Sequence, residues 1–479
     1  MAHVRSTLYV AIAQAAAEGL GLVRNVILAR ALGPAEMGVV AALTLTLSLL
    51  DMISDFGPDR LLVQAEDGDR EEFQATSHLL LLLRGVVTAG LLLLLSMPVG
   101  GWLARPDAAW MIATLTLVPL IRGAVHLDSK RVQRRLDFRG TMLVELSAAC
   151  AATAAALVLA PRVQSAAVLV WVSLVQVVVL VGMSHFVAER AYRVGAQREV
   201  LGRLMSFGWP LAMNGVIMFG ALQGDRLVVM ASASTADLGR YAVAFQLTMV
   251  PALLISRVAS TVCLPWLSRC QGDAERFEQR VKSVADTLGV VALVFSLGIL
   301  TLGNPVIRWL YGADFIVTGA VMMWLGMMQG IRILRAVPSL VALSRADSFN
   351  PLVPNLLRFV GIAAAAVAGM SGGGLSAIAA CGCGGEMVAL VGAVVLLKWR
   401  HQLEVRTVVR ASWNFTVGVL AAGVALYVPQ LHEGLHGLGL MVAGACLVRA
   451  VWAALPVRGG ASGIGPRTSY EPVLAKTGN

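Results

Sequence analysis

The stretch RNVILARALGPAEMGVVAA at residues 24–42 ends one apolar helix and begins the next. A related stretch, RLVVMASASTADLGRYAVA, occupies residues 226–244, about 200 residues later. In both, the helix end is followed by a short turn that carries an acidic residue, and Gly38 or Gly239 then opens the next helix. This recurrence predicts that the chain is built from two related halves.

Three further pairs of segments recur in the same order. They are DREEF at 69–73 with DAERF at 273–277, Trp102-Leu103 and Asp107 with Trp309-Leu310 and Asp314, and RLDF at 135–138 with RADSF at 345–349. The repeated unit contains six predicted helices. Because six is an even number, both copies insert into a membrane in the same orientation. We therefore expect two parallel lobes around a central cavity.

The composition indicates an integral membrane protein. Of 479 residues, 57% are hydrophobic and only 14% are charged, whereas a soluble domain carries about 25% charged residues. Apolar windows of roughly 20 residues predict an all-α protein with about 14 transmembrane helices, of which two lie beyond the repeat. The predicted spans are 7–29, 37–59, 75–98, 108–128, 140–160, 165–187, 205–231, 241–266, 284–302, 316–337, 352–370, 374–397, 411–428 and 436–455.

These spans divide the chain into five predicted regions. They are an N-terminal six-helix lobe at 1–187, a basic cytoplasmic linker at 188–204, a C-terminal six-helix lobe at 205–397, two additional helices at 411–455 and a disordered cytoplasmic tail at 456–479. With a cytoplasmic N-terminus, inner loops and tails hold 24 of the 38 Lys and Arg residues, and outer loops hold five. This asymmetry predicts that both termini are cytoplasmic. It also explains the net charge of +10, so no nucleic-acid partner is expected.

Polar residues inside four predicted spans follow helical spacing. They are Gln14, Glu18, Asn25 and neighbouring Arg24 in the first span, Thr44, Ser48, Asp51 and Asp55 in the second, Asn214 and Asp225 in the seventh, and Gln246 and Arg257 in the eighth. A charge in hydrocarbon is costly, so it faces a cavity or a partner. The simplest geometry turns all four faces toward one cavity between the lobes. The alternative is a set of static pairs, such as Arg24 with Asp55.

The sequence contains no pattern typical of an enzyme. The seven histidines are scattered without metal-ligand spacing. The six cysteines lie in or beside apolar segments, and no phosphate-binding loop is present. We therefore expect no catalytic residue, no metal and no cofactor.

Several segments resemble the polysaccharide transporter (oligosaccharide flippase) family of the multidrug/oligosaccharidyl-lipid/polysaccharide exporter superfamily. They are residues 19–42, 54–64, 134–148 and 224–247 and the element WLYGADF at 309–315. The resemblance implies a flippase that moves a polyprenyl-pyrophosphate-linked oligosaccharide across the bacterial inner membrane by alternating access, for cell-surface polysaccharide biosynthesis. The implied partners are this substrate, membrane lipids, and the polymerase and glycosyltransferases of the same pathway.

The resemblance also implies cavity arginines on helices one, two and eight. Arg24 and Arg257 match two of these places, whereas helix two carries Asp51 and Asp55 instead. The predicted substrate-binding residues are Arg24, Asn25, Asn214, Gln246 and Arg257. The predicted ion-coupling residues or cavity pairs are Glu18, Asp51, Asp55 and Asp225.

Two other functions remain open at this point. The first is a cation-coupled multidrug exporter of the same fold, which would favour acidic cavity residues. The second is a membrane-embedded polysaccharide polymerase or glycosyltransferase. Enzymes of that class need large outer loops, and the outer loops predicted here are short.

Overall fold

A computed structural model describes residues 2–102, 106–270, 272–347, 349–427 and 433–454. Within these ranges, the side chains of residues 2–14, 102, 106–107 and 433–435 are not described. The predicted tail at 456–479 lies outside the described residues. Across the described ranges the secondary structure is helical, with no β-strand. This confirms the all-α prediction.

The helices form three groups along the chain. The N-terminal set contains α1 (Ala2–Ile53), α2 (Pro58–Gln64), α3 (Glu71–Trp102), α4 (Pro106–Leu115), α5 (Leu117–Gly123), α6 (Asp128–Gln133), α7 (Arg139–Val163) and α8 (Val168–Phe186). The C-terminal set contains α9 (Arg198–Ser232), α10 (Thr235–Ser268), α11 (Ala274–Leu310), α12 (Gly319–Ser344), α13 (Phe349–Leu357), α14 (Phe359–Met370) and α15 (Gly374–His401). The helices α16 (Arg406–Tyr427) and α17 (Glu433–Ala454) follow.

Twelve helices in the described residues are long and apolar enough to cross a membrane. The protein is therefore a multi-pass membrane protein. The first two predicted spans form the single segment Ala15–Ile53, and the fourth is the shorter apolar segment Ala108–Gly123. The count of fourteen stays a prediction.

The segment Ala15–Ile53 is too long for one crossing. Its 39 residues would extend about 58 Å as a straight helix, roughly twice the apolar thickness of a bilayer. The helical backbone is interrupted at Gly33, which has φ 73° and ψ 175°. A residue with a Cβ is strained at positive φ, so glycine suits this break. Pro34 follows and lacks the amide proton that a continuous helix would use.

Small residues let the helices approach one another. Along α7, alanines at positions 148, 152, 156 and 160 are buried at a spacing of four residues, which places them on one face. This helix packs against α1 and α8, and small side chains permit close contact between helices in lipid. In the C-terminal set, α12 packs against α10, α11 and α15. The helices α16 and α17 both pack against α11.

Three of the histidines that look scattered in the sequence lie together. The rings of His78 and His126 have centroids 5.0 Å apart, those of His126 and His185 are 5.2 Å apart, and Tyr192 stacks on His78 at 4.3 Å. His126 Nδ1 accepts a hydrogen bond from the Asp128 amide at 3.1 Å, and Nε2 donates to the Arg190 carbonyl at 3.0 Å. Both nitrogens of His126 are thus occupied by the backbone. No group of metal-ligating side chains occurs in the part of the chain that the structure describes.

We expect the free energy of unfolding to fall on acidification because of His126. Burial lowers the pKa of its imidazole below the usual value. The unfolded chain, with a histidine pKa of about 6.5, then binds the proton more readily than the folded protein. The free energy of unfolding therefore has its full value above the pKa of the unfolded chain. It decreases as the pH falls from there through the lowered pKa of the folded protein. Thermal unfolding in detergent between pH 8 and 5 should show a midpoint that drops by several degrees.

The matched control for this prediction is His126→Gln. Its amide can accept from Asp128 and donate to Arg190 but does not titrate in this range. The midpoint of the variant should therefore depend less on pH. If the variant and the wild type lose stability equally between pH 7 and 5, His126 is not the group responsible.

Candidate functional site

Four of the predicted site residues meet between α1 and α10. The Glu18 carboxylate lies 3.3 Å from Arg257 Nη1, and Asn25 Nδ2 donates a hydrogen bond to Gln246 Oε1. Glu18 and Asn25 are seven residues apart, close to two helical turns, and Gln246 and Arg257 are eleven apart, close to three turns. Each pair therefore shares one face of its helix. The reversed order of the partners shows that α1 and α10 run antiparallel here.

The ion pair between Glu18 and Arg257 is open to its surroundings. The side chain of Arg257 is 59% exposed and that of Glu18 is 46% exposed. An exposed ion pair contributes only about 0–1 kcal/mol. A stronger anionic ligand could therefore displace Glu18 from Arg257.

Arg24 points toward the N-terminal set. Its Nη1 donates to Gln176 Oε1 of α8 at 2.7 Å. The pair of Arg24 with Asp55, which the sequence left open, does not form. Arg24 lies nine residues before the break at Gly33, and Asp55 lies 22 residues after it. Measured from the break, Asp55 is therefore farther away than Arg24. At 1.5 Å per residue this difference corresponds to about 20 Å in depth.

Asp51 and Asp55 face the interior of the N-terminal set. Asp51 lies 3.4 Å from Arg84 and 3.0 Å from Arg122. Asp55 lies 3.0 Å from Arg60 and 3.9 Å from Arg84. Asp51, Asp55, Arg84 and Arg122 line a cavity of about 440 Å³, to which α6, α7 and α8 also contribute residues. The prediction that all four polar faces share one cavity between the lobes is therefore wrong for this part of α1.

The two predicted residues of α9 have different surroundings. Asn214 is exposed, whereas Asp225 is buried and accepts a hydrogen bond from the Tyr241 hydroxyl of α10 at 2.9 Å. Asp225 therefore belongs to the interior of the C-terminal set. Their spacing of eleven residues predicted that Asn214 and Asp225 share one face of the helix. It did not predict which of them is buried against another helix.

Three residues of the polar network were missing from the predicted site. Gln176 binds Arg24, Tyr241 binds Asp225, and the buried Glu386 of α15 contacts three arginines. Two of them carry a sequence signal. Gln176 is the one amide side chain of α8, and Glu386 is the one charge between residues 374 and 397.

The two halves of the chain touch closely where the repeated glycines lie. A Cβ added to Gly38 would overlap the backbone carbonyl oxygen of Thr235, and one added to Gly239 would overlap that of Pro34. The glycines that match in the repeat thus face each other across the contact. We call the contact between residues 34–38 and 235–239 the glycine contact.

Backbone carbonyls hold the same end of the interface closed. Arg30 Nε donates to the Leu310 carbonyl at 2.7 Å, and Arg30 Nη2 donates to the Trp309 carbonyl. Arg240 Nε donates to the Asp314 carbonyl at 2.9 Å. The WLYGADF element therefore bridges α1 and α10 at this end.

The sequence decides the family of this chain. A family model described as polysaccharide biosynthesis protein matches residues 27–318, which is more than half of the chain. The chain belongs to this family. The matched region contains Arg30, both glycines of the glycine contact, Gln246 and Arg257.

Two curated relatives show what this chain is similar to. Lipopolysaccharide biosynthesis protein WzxC of Escherichia coli (strain K12) is 24% identical over 61% of this chain and 60% of its own length. Succinoglycan biosynthesis transport protein ExoT of Rhizobium meliloti (strain 1021) is 25% identical over 65% of this chain and 63% of its own length. The chain thus matches less than two thirds of the length of these relatives.

Solved structures share the fold of this chain. The lipid II flippase MurJ in an inward closed conformation aligns with a TM-score of 0.69 and 12% identity, over 93% of this chain and 98% of that one. An inward-facing multidrug resistance MATE family transporter of the MOP superfamily aligns with a TM-score of 0.63 and 15% identity, over 80% and 94%. At these identities the likeness establishes the fold alone.

Proposed function

We propose that this protein is a flippase that translocates a polyprenyl-pyrophosphate-linked oligosaccharide across the bacterial inner membrane. The observation that carries the proposal is the polar interface between α1 and α10, where Glu18 pairs with Arg257 and Asn25 bonds to Gln246. Membership of a polysaccharide biosynthesis family supports the sugar substrate. The relative ExoT, named as a transport protein, supports transport rather than catalysis.

Arg24 and Arg257 suit the pyrophosphate of such a substrate. A guanidinium group presents two parallel donors to a phosphate group, and such charge-assisted bonds are stronger than neutral ones. In the structure Arg24 donates a hydrogen bond to Gln176, and Arg257 forms an ion pair with Glu18. We propose that the pyrophosphate displaces these two partners. Asn25, Gln246 and Asn214 then offer amide groups to sugar hydroxyls, whose transfer into hydrocarbon without partners costs several kcal/mol each.

Alternating access of two lobes, residues 1–187 and 205–397, would move the sugar from one side to the other. We propose that the glycine contact closes the outer end in the state described here. The apolar chain of the substrate stays in the bilayer beside the gap. We propose that the protein lies in the bacterial inner membrane, and that its partners are the polymerase and glycosyltransferases of the same pathway.

The sequence lacks an ATP-binding loop, so we propose an ion gradient, the membrane potential or the substrate gradient as the driving force. Glu18 is the best-placed coupling residue because it pairs with a proposed substrate ligand while remaining half-exposed. Protonation of Glu18 would free Arg257 for the pyrophosphate. Asp225 is a second candidate, whereas Asp51 and Asp55 act as cavity pairs of the N-terminal set.

Reconstitution tests the proposed activity. Purified protein is placed in liposomes loaded with an undecaprenyl-pyrophosphate-linked oligosaccharide, and an enzyme that cannot cross the membrane reports the sugar exposed outside. We expect the exposed fraction to rise with time. A rate equal to that of protein-free liposomes would contradict the proposal.

Cysteine labelling tests the proposed orientation. In a background without the six native cysteines, single cysteines at Arg135 and Arg406 should react only with reagents that reach the cytoplasm. The positive-inside distribution is the reason. A cysteine at Asp107 should be labelled from outside, and outside labelling of either inner position would refute the orientation.

A further inference from the structure

Three arginines surround one buried carboxylate inside the C-terminal set. Glu386 of α15 is 1% exposed. Its Oε1 lies 2.6 Å from Arg358 Nη2 and also accepts from Arg332 Nε, and its Oε2 lies 3.5 Å from Arg335 Nε. A single carboxylate compensates one of these three charges, so the group retains positive charge.

A fourth arginine extends this group toward α9 and α10. The Arg226 guanidinium lies over the Phe245 ring with its central carbon 4.4 Å from the ring centroid, and Arg332 approaches the same ring at 5.7 Å. The carboxylate beside Arg226 is Asp225, which is buried and held by the Tyr241 hydroxyl. Four guanidinium groups and two carboxylates leave two positive charges within membrane-spanning helices. We call these six charged residues the arginine cluster.

The arginine cluster and the neighbouring Gln329 also carry hydrogen-bond donors without acceptors. Gln329 is 0% exposed, and its Oε1 accepts from Arg332 Nη1 at 3.1 Å, which leaves the Nε2 amide without a partner. Arg226 Nε is likewise buried without a hydrogen-bond acceptor, and Arg335 Nε and Glu386 Oε2, which lie 3.5 Å apart, are both buried without a hydrogen bond. A buried donor without an acceptor is destabilising, and unpaired charge in a bilayer costs more. Excess charge and free donors both require an acceptor with negative charge.

We propose that the arginine cluster binds a phosphate-type oxyanion. A dianion would neutralise the two excess charges, and its oxygens would accept from the free guanidinium and amide donors. The Arg332 and Arg335 side chains remain 9% and 14% exposed. Phe245 directly precedes Gln246, which contacts α1, so the cluster lies directly behind the interface of the two halves. The proposal rests on the proposed function only for the source of the anion, which is either the lipid-linked pyrophosphate or a free phosphate.

Binding of inorganic pyrophosphate tests the site. Calorimetry is performed at low chloride on protein in neutral-lipid nanodiscs that carries Arg24→Ala and Arg257→Ala, so that the arginines of the interface between α1 and α10 do not contribute. We expect saturable binding that Arg226→Gln or Arg335→Gln weakens at least about tenfold, since a charge-assisted bond contributes about 1.5–3 kcal/mol. Arg226 makes no ion pair within the described contacts, so its replacement breaks none.

Two further variants complete the test. Asp225→Asn keeps a partner for the Tyr241 hydroxyl, raises the net charge by one and should tighten binding. Arg449→Gln, on α17 away from α12 and α15, should leave it unchanged. The proposal would be overturned if pyrophosphate did not bind, or if Arg226→Gln and Arg335→Gln left its binding unaffected. Binding of chloride as strong as that of pyrophosphate would also overturn it.

A lipid competitor then identifies the source of the anion. Displacement of inorganic pyrophosphate by undecaprenyl pyrophosphate, but not by undecaprenol, assigns the site to the substrate headgroup. Binding without such competition assigns it to free phosphate. Because this measurement does not require transport, an inactive but pyrophosphate-binding protein would refute the proposed function and leave the anion site intact.

Discussion

Transport is expected to fall at least about 100-fold when Arg24 and Arg257 are both replaced by alanine. Each arginine is proposed to donate to the pyrophosphate, and a hydrogen bond to a charged group contributes about 1.5–3 kcal/mol. The two arginines bind separate partners, Gln176 and Glu18, so either single variant should retain part of the activity. The measurement is the rate of sugar exposure in the liposome assay, normalised to the amount of inserted protein.

Lysine and a remote arginine provide the controls. Lysine at positions 24 and 257 restores the charge without the planar pair of donors, so it should rescue transport only partly. Arg162→Ala removes an exposed arginine whose hydrogen bond is to the Val158 carbonyl of its own helix, and it should be neutral. Full activity of the double alanine variant would show that these arginines do not bind substrate.

Replacing Gly38 by valine is expected to reduce transport at least about tenfold. The added Cβ would overlap the Thr235 carbonyl oxygen, and no side-chain rotation can move a Cβ. Overpacking of this kind typically costs about 1–3 kcal/mol. Here it would destabilise the conformation in which the glycine contact is formed. A cysteine at Ala236, within that contact, should become more reactive toward reagents added outside.

The matched control is Gly19→Val, because Gly19 also lies in α1 but has no heavy atom within 4 Å of an added Cβ. It tests the general effect of a β-branched residue in this helix. Equal transport by Gly38→Val and wild type would mean that the glycine contact does not form during the cycle. Equal loss in both variants would point to the helix rather than to the contact.

The sequence by itself determined the helical membrane fold and its repeat. A span depends on about 20 consecutive apolar residues, which is local information, and the long helices of the structure follow those windows. The matched Gly38 and Gly239 were visible in the sequence because a backbone contact tolerates only glycine. Helical spacing also indicated that Glu18 and Asn25 share a face, as do Gln246 and Arg257.

Tertiary structure alone decided which charges meet. Helical periodicity gives the face on which a residue lies but not the helix that packs there. Thus Asp51 pairs with Arg84 and Arg122 within the N-terminal set. Glu386 pairs with two arginines of α12 and with one at the junction of α13 and α14. Partners of this kind are separated by many residues in the chain. Their contacts depend on how whole helices pack, which no local pattern records.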